Sequence, residues 1–443
     1  VRKLKVTQNL VRAERVLLVA VVLPDEEGLQ EENIRELRGL AVTAGAKVVG
    51  TVVQRKESPH PSSYVGTGKA AEIRDMARKL NADLVLVDHD LAPAQVRNLE
   101  NIIKLKVVDR SELVLDIFAT HAKTTQAKLQ VELAQLEYLM PRLRRMWTHL
   151  ARYEGGIGVR GPGETQLETD RRLVRKRITD LRDNLRIIEG RRKRQAEART
   201  DNFTICLVGY TNAGKSSLMK ALTGADVNVS DTLFETLDTK TSALEIGKNE
   251  RVFISDTVGF IRNLPHHLVS SFHATLEEAL QADLLLYVVD SSSPASPHHM
   301  DIVADVLGEL GCDDKNVLVV FNKIDKEREP GLLSLLKDKA EDYVLVSATT
   351  GQGIELLRHK VSRYLDEMRV SADVTLSAAD GKTQAYLSRN GVVHSRTYFD
   401  EKVRMELSIE RRFLQKARKL NPRMRVNVLE RGETRQPAGM TSG

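Results

Sequence analysis

Three observations predict an α/β multidomain architecture for these 443 residues. Strand and helix signals alternate through residues 14–110. Two heptad seams flank a glycine-rich loop within residues 111–200. A buried strand runs into a glycine loop and a helix at residues 203–222. The units they delimit are an N-terminal parallel α/β subdomain (1–110), a long antiparallel helical hairpin with a glycine-rich tip loop (111–200), a P-loop α/β domain (201–370) and a small α+β C-terminal domain (371–443).

Hydrophobic residues at 41% and charged residues at 29% are those of a soluble globular chain. Apolar runs such as Val16 to Leu23 are far too short to span a bilayer. The basic start is followed by a run that ends at Pro24-Asp25-Glu26 without the small-residue cleavage site of a secretory leader. Cys206 and Cys312 make neither a disulfide framework nor a metal site. A cytoplasmic location is the default expectation. The net charge of +6 is uneven: Pro141 to Thr200 holds 17 Lys+Arg against 8 Asp+Glu. That excess of +9 leaves −3 for the rest, which points to a local polyanion contact, with a solvated helical face as the alternative.

In the N-terminal subdomain Val16 to Leu23, Lys47 to Val53 and Asp83 to Asp88 read as strands. Helices are expected over 29–44 and from about Pro93. Gly66-Thr67-Gly68-Lys69, before a further helix, suits either a phosphate or a plain strand–helix turn. In the helical part Leu129, Leu133, Leu136, Met140, Leu143, Trp147 and Leu150 recur at spacings of four and three, a heptad seam. Pro141 should kink or interrupt it. Gly155-Gly156-Ile157-Gly158-Val159-Arg160-Gly161-Pro162-Gly163 breaks the helix. Thr165 and Glu168 have capping-box spacing, and a second seam follows at Val174, Ile178, Leu181, Leu185 and Ile188. Two heptad helices joined by one loop imply an antiparallel hairpin. Its tip is either a contact site or an idle turn. Arg191 to Thr200 reads as a polar linker. The C-terminal part mixes short strands with one helix near Ile409 to Leu420, and Gln436 to Gly443 is expected to be disordered.

The chemistry concentrates in the third unit. Gly209-Tyr210-Thr211-Asn212-Ala213-Gly214-Lys215-Ser216 has the spacing of a phosphate-binding loop between a strand and a helix. Its backbone N–H groups, from Asn212 through Ser217, and the helix N-terminus can cradle an anion. Lys215 would reach the β- and γ-phosphates, and Ser216 would ligate Mg²⁺. Then come Asp256-Thr257-Val258-Gly259, Asn322-Lys323-Ile324-Asp325 and Ser347-Ala348, each closing a strand. This is the motif order of a Ras-like P-loop GTPase. The Asp325 carboxylate can accept from guanine N1–H and N2–H₂, an edge that adenine lacks. Asn322 would brace loop and base, the Lys323 stem would cover the ring, and the Ala348 N–H would face guanine O6. Asp256 would hold a Mg²⁺-bound water, and the Gly259 N–H would approach the γ-phosphate. Thr236 is the candidate first-switch threonine on Mg²⁺, with Thr232, Thr239 and Thr241 as rivals. Thr241 to Ile246 and Arg251 to Ser255 should form an antiparallel hairpin. Phe260 stands where Ras-type enzymes use a water-orienting glutamine, so intrinsic hydrolysis should be slow. Asn212 either helps ligate a monovalent cation or stabilises the loop.

These residues together resemble the HflX family of ribosome-associated GTPases over nearly the whole chain. The resemblance lies in His60-Pro61 with Tyr64 to Lys69, in Gln95 to Glu100, in Lys128 to Leu136, in Asp256 to Arg262 and, most specifically, in the stretch from Gly155 to Arg172. It implies binding to the large ribosomal subunit and its rRNA, with Gly155, Gly156, Arg160, Gly161, Gly163, Arg171 and Arg172 as contacts, and rescue of stalled ribosomes by subunit splitting. It also implies that the Gly66–Lys69 turn is a second, ATP-binding site. Any membrane contact would be peripheral, through ribosomes, and a monomer is expected. Thr125-Gln126-Ala127 and Asp238-Thr239 depart from the family pattern. The competing reading is an RNA-binding or remodelling module with GTP as a slow regulatory ligand. A metabolic ATP-using enzyme is opposed by Asp325.

Overall fold

The computed structural model describes residues 13–24, 28–142, 162–198, 203–224, 233–234, 239–246, 250–262, 278–327 and 329–429. The N-terminal unit runs β1 (Arg15–Val22), α1 (Gln30–Thr43), β2 (Lys47–Arg55), α2 (Thr67–Lys79), β3 (Leu84–Val87), α3 (Pro93–Ile103) and β4 (Lys106–Asp109). Its strands are parallel in the order β2-β1-β3-β4. The near-continuous apolar runs of β1 and β3 reflect burial on both faces, as a helix-covered parallel sheet requires. The four residues of β4 are too few, and too charged at both ends, to signal a strand by pattern.

Next come α4 (Arg110–His121), capped by the Asp109 carboxylate accepting from Glu112 N at 2.9 Å, and α5 (Thr125–Leu139), capped by the Thr124 hydroxyl accepting from Ala127 N at 3.1 Å. A 3-10 turn at Met140–Arg142 ends the helix at Pro141, which has no N–H to donate. The return helix α6 (Pro162–Ala198) begins three residues before the expected cap and continues through the expected linker. Pro162 fits a first helical position, where its missing N–H costs nothing, so Thr165 and Glu168 lie inside the helix. Residues 191–198 contain only Arg, Lys, Gln, Ala and Glu, all good helix formers. At 37 residues, α6 is about 55 Å long. Ile178, Leu181 and Leu185 pack on Leu133, with Leu129, Leu136, Met140 and Val174 alongside. The Arg177 guanidinium bonds Glu132 through Nε and Nη2, at 2.7 and 2.9 Å. Thus α5 and α6 form the seamed antiparallel pair; its tip, including Gly155, Gly156, Arg160 and Gly161, lies outside the described residues.

The P-loop unit comprises β5 (Thr204–Gly209), α7 (Lys215–Thr223), β6 (Lys240–Ile246), β7 (Glu250–Asp256), β8 (Leu284–Asp290), α8 (Ser296–Glu309), β9 (Val317–Asn322), α9 (Leu332–Asp338), β10 (Tyr343–Leu345) and α10 (Ile354–Glu367). The sheet order is β10-β9-β8-β5-β7-β6, parallel except for β6, which forms the anticipated hairpin with β7. The C-terminal unit is β11 (Arg369–Ser377), α11 (Gly381–Asn390), β12 (Gly391–Phe399), β13 (Lys402–Glu410), α12 (Arg411–Leu420) and β14 (Arg425–Leu429), with antiparallel order β12-β13-β11-β14. It has two helices where one was expected. In α11 polar residues surround a single fully buried leucine, Leu387, so its sequence shows little amphipathic period. The tail from 430 onward lies outside the described residues.

One apolar core crosses from the first sheet into the P-loop sheet. It joins Leu37, Leu40, Leu113, Ile117 and Phe118 to Val208, Phe234, Val258 and Phe260. Phe118 meets Phe234 edge-on at 4.7 Å between ring centres. The P-loop and both switch-flanking segments therefore lie against the N-terminal unit.

Candidate nucleotide site

The four motifs converge at the carboxyl ends of β5, β7, β9 and β10, the side of a parallel sheet where ligands bind. Asn322, at the end of β9, ties three of them together. Its amide donates to Ala213 O at 3.0 Å, and its side-chain oxygen accepts from Ala348 N at 3.0 Å. Lys323 donates to Asn212 O at 2.7 Å and pairs with Asp290 at 2.7 Å. Gly214 holds a left-handed φ of 93°, and a Cβ there would run into the Asn322 amide. Asn212 is also left-handed, at φ 59°. Its exposed side chain makes no hydrogen bond among the described residues, so its contribution to the loop is made by the backbone. Asp325 is exposed at the rim. A hydrogen bond from the buried Ser347 side chain holds its carboxyl below the usual carboxylate value.

On the phosphate side, Lys215 Nζ donates to the carbonyls of Gly209 at 3.1 Å and Tyr210 at 2.9 Å. Burial pushes this ammonium down to about 8. Gly259 abuts it, and an added Cβ would stand 2.9 Å from Nζ. Ser216 Oγ donates to Asp256 Oδ2 at 2.6 Å, and Ser217 follows in the first turn of α7. A hydroxyl beside a carboxylate is a hard-oxygen pair that suits Mg²⁺, the remaining ligands coming from phosphate and water. Thr211 Oγ1, buried beside Gly259, has no hydrogen-bond partner among the described residues. A buried ammonium aimed at backbone carbonyls, a hard-oxygen pair and an orphaned hydroxyl together fit a phosphate–magnesium group. Thr236 lies outside the described residues.

The second switch begins zipped to the loop. Phe260 N donates to Gly209 O at 3.1 Å, and Thr211 N donates to Phe260 O at 2.7 Å. The Phe260 ring is buried in the core that joins the two sheets, so it serves packing and cannot position a water.

Sequence reasoning missed what lies behind the loop. Arg262, three residues past Gly259, bonds Glu36 of α1 at 3.2 Å and also Asp88, just beyond β3. Arg110, at the start of α4, bridges the same two carboxylates, reaching Asp88 at 2.8 Å and bonding Glu36 as well. Tyr210 of the P-loop donates its hydroxyl to Glu36 and accepts from Arg262 N at 2.9 Å. Exposure is 1% for Arg110, 2% for Asp88, 6% for Arg262 and 8% for Glu36. Burial alone would raise the Glu36 carboxyl, but Arg110, Arg262 and the Tyr210 hydroxyl overcome it and hold it below the usual value. Two cations against two carboxylates leave the cluster balanced. Tyr210 also stacks on His299, ring centres 3.8 Å apart and 9° from parallel. Burial pushes His299 down to about 4, so it is neutral at pH 7. Four charges at positions 36, 88, 110 and 262 carry no joint sequence signal. The nearest cue is the position of Asp88 at the carboxyl end of a strand.

The other singled-out residues are placed as follows. The loop at His60–Ser63 is held by α3, whose Asn98 donates to Ser62 O at 2.7 Å. Thr67, Gly68 and Lys69 form the first turn of α2, with Lys69 paired to Glu72 at 2.8 Å. Gly163 lies in the first turn of α6, and farther along it Arg171 is half-buried and Arg172 exposed.

A phosphate loop, a magnesium-compatible Ser–Asp pair and a rim aspartate behind an Asn-Lys motif define a P-loop GTPase, a GTP-hydrolysing enzyme. Family models match along the chain: "GTP-binding GTPase N-terminal" over residues 31–119, "GTP-binding GTPase Middle Region" over 121–199 and "50S ribosome-binding GTPase" over 204–323. The chain belongs to the GTPase HflX family. It is 41% identical over 402 residues to the GTPase HflX of Caldanaerobacter subterraneus subsp. tengcongensis, covering 90% of this chain and 92% of that one. To the GTPase HflX of Escherichia coli (strain K12) it is 41% identical over 376 residues, covering 84% and 88%. Among solved structures it is similar to the GDP complex of a GTP-binding protein from Sulfolobus solfataricus, at 27% identity and a TM-score of 0.43, over 79% of this chain and 99% of that one.

Proposed function

We propose that this GTPase binds the large ribosomal subunit and uses GTP binding and hydrolysis to split stalled ribosomes. The observation that carries the reading is the attachment of both switch flanks to the N-terminal unit, Leu233–Phe234 on one side and Arg262 on the other. A change at the γ-phosphate would pull on that unit and on the hairpin continuous with it. The match of residues 204–323 to a 50S ribosome-binding model adds support.

In this reading Asp325 selects guanine, Asn322, Lys323 and Ala348 frame the base, and Ser347 orients Asp325. Lys215 and the loop N–H groups from Asn212 through Ser217 hold the phosphates. Bound magnesium would neutralise phosphate charge, held by Ser216 and Thr236 with Asp256 behind it. Gly259 N–H meets the γ-phosphate once Lys215 leaves its two carbonyls for the anion. The free Asn212 side chain is a candidate monovalent-cation ligand. The tip Gly155–Gly163 with Arg160, Arg171 and Arg172 contacts rRNA. An ATP site at Gly66–Lys69 is the weaker reading, because Glu72 already engages Lys69. The family role implies a cytoplasmic monomer.

The test is GTP turnover with and without large subunits, for the intact chain and for one with Gly155–Gly163 replaced by Gly-Ser repeats. Low basal turnover stimulated by the subunit, and splitting lost on tip replacement with basal turnover retained, is expected. Slow turnover that large subunits leave unchanged would favour the RNA-module alternative, and rapid basal turnover without stimulation would contradict the reading of Phe260. Splitting at the normal rate by the replaced chain would make the tip an idle turn.

A further inference from the structure

The C-terminal unit conceals a charge asymmetry within the −3 balance left outside the hairpin. Between Arg369 and Leu429 there are 13 Lys+Arg against 6 Asp+Glu, so the hairpin segment is not the sole basic concentration. The open face of the sheet is mixed. Asp373, Arg404 and Glu406 stand on its two central strands, and Arg404 is bidentate on Asp373. The exposed rings of this sheet, Tyr398 and Phe399, stand at the end of the edge strand β12, and the outward positions of the central strands β11 and β13 carry none on which a base could stack.

The two helices on the other side carry charge of one sign; beside them stands Asp380, which caps α11 and accepts from Asn421 at 2.7 Å. α11 and α12 contain no Asp or Glu. They expose Lys382, Arg389, Arg411, Arg418 and Lys419, with Arg423 just beyond. None of Arg389, Arg411, Arg418, Lys419 and Arg423 pairs with a carboxylate among the described residues. Arg411, Gln415 and Arg418 are spaced i, i+4, i+7, a stripe along the solvent side of α12. The opposite side, Phe413, Leu414 and Ala417, is buried in the sheet core. Arg412 turns aside to Asp283 at the start of β8 and to Glu410, fixing the orientation of the helix.

We propose that the α11–α12 face is a docking surface for RNA, gripped through its phosphates. Unpaired like charges on adjacent helices repel, and a polyanion relieves this while releasing its counterions. Four of these six cations are arginines, which can clasp phosphate with two parallel N–H bonds. A lipid surface fits less well, because α12 has already committed its apolar side to the core and leaves only Leu420 exposed. A protein partner would need a central aromatic anchor, and this face exposes none. The proposal does not require the hairpin tip, and naked RNA keeps it distinct from the ribosome reading.

The experiment titrates the full chain with a short RNA hairpin over a range of KCl concentrations, beside the Arg411→Gln/Arg418→Gln/Lys419→Gln variant. The expected result is about tenfold weaker binding or more, and a salt slope reduced by about two to three. GTP turnover should be unchanged and should report intact folding. Arg411→Lys/Arg418→Lys should retain most of the affinity. Equal affinity and slope in the Gln variant would overturn the proposal. So would wild-type chain that binds phosphatidylserine vesicles and not the RNA hairpin.

Discussion

At its N-terminal junction the P-loop unit buries two arginines against two carboxylates and shares an apolar core with the neighbouring sheet. At its C-terminal junction the polar contacts are Arg412 on Asp283, at 3.4 Å with exposures of 31% and 15%, and Arg369 on Asp366, at 3.0 Å with exposures of 14% and 62%. The first contact includes the P-loop tyrosine and the arginine after the second switch. The second reaches the amino end of β8, the edge of the sheet opposite the nucleotide. A buried, balanced cluster does little for net stability relative to apolar packing, yet it is costly to break on one side. It therefore suits a contact that must hold one arrangement or change as a whole. A half-exposed pair tethers without transmitting.

The comparison breaks first at Arg262. Arg262→Met should leave Glu36 and Asp88 sharing only Arg110, and should destabilise the chain by about 3–5 kcal/mol, measured by urea unfolding. A loss below about 1 kcal/mol, the value of an exposed pair, would place Arg262 with the C-terminal tether.

An intermediate effect concerns Lys215. Burial favours its neutral form in the free protein, at about 8, whereas a phosphate favours the ammonium. Binding therefore takes up a proton above about pH 8. GTP affinity should be flat below that pH and weaken as the pH rises through it, by up to tenfold per unit. Lys215→Arg, which does not titrate in this range, is the comparison that cancels ionisation of the guanine itself. Identical profiles for both would contradict the burial of the ammonium.

The smallest effect is at the other junction. Asp283→Asn should cost under about 1 kcal/mol and leave GTP turnover unchanged. A large drop in turnover would mean that the C-terminal unit senses the nucleotide after all.

What was legible in the sequence follows from the range of each interaction. Gly209 to Ser216, Asn322 to Asp325 and Ser347-Ala348 are local motifs closing apolar strands, and the structure brings them together. Leu129 to Met140 and Val174 to Leu185 announce their seam by period alone. The start of α6 was misplaced because Pro162, which reads as a breaker, is also a good first helical residue. Its end was misplaced because Arg191 to Arg194 reads as polar linker although every residue there favours helix. The cluster of Glu36, Asp88, Arg110 and Arg262 was illegible because each member alone is an ordinary charged residue. Only the packing of α1, β3 and α4 against the P-loop sheet makes them neighbours.

The central claim is that nucleotide state is read by the N-terminal unit and not by the C-terminal one. Hydrogen–deuterium exchange of the full chain, with a non-hydrolysable GTP analogue against GDP, tests it most directly. Protection should change in Gln30–Thr43 and Arg110–His121, the helices that carry Glu36 and Arg110, while Arg369–Leu429 stays the same. Unchanged exchange in those two helices, with altered exchange in the C-terminal sheet, would contradict the claim.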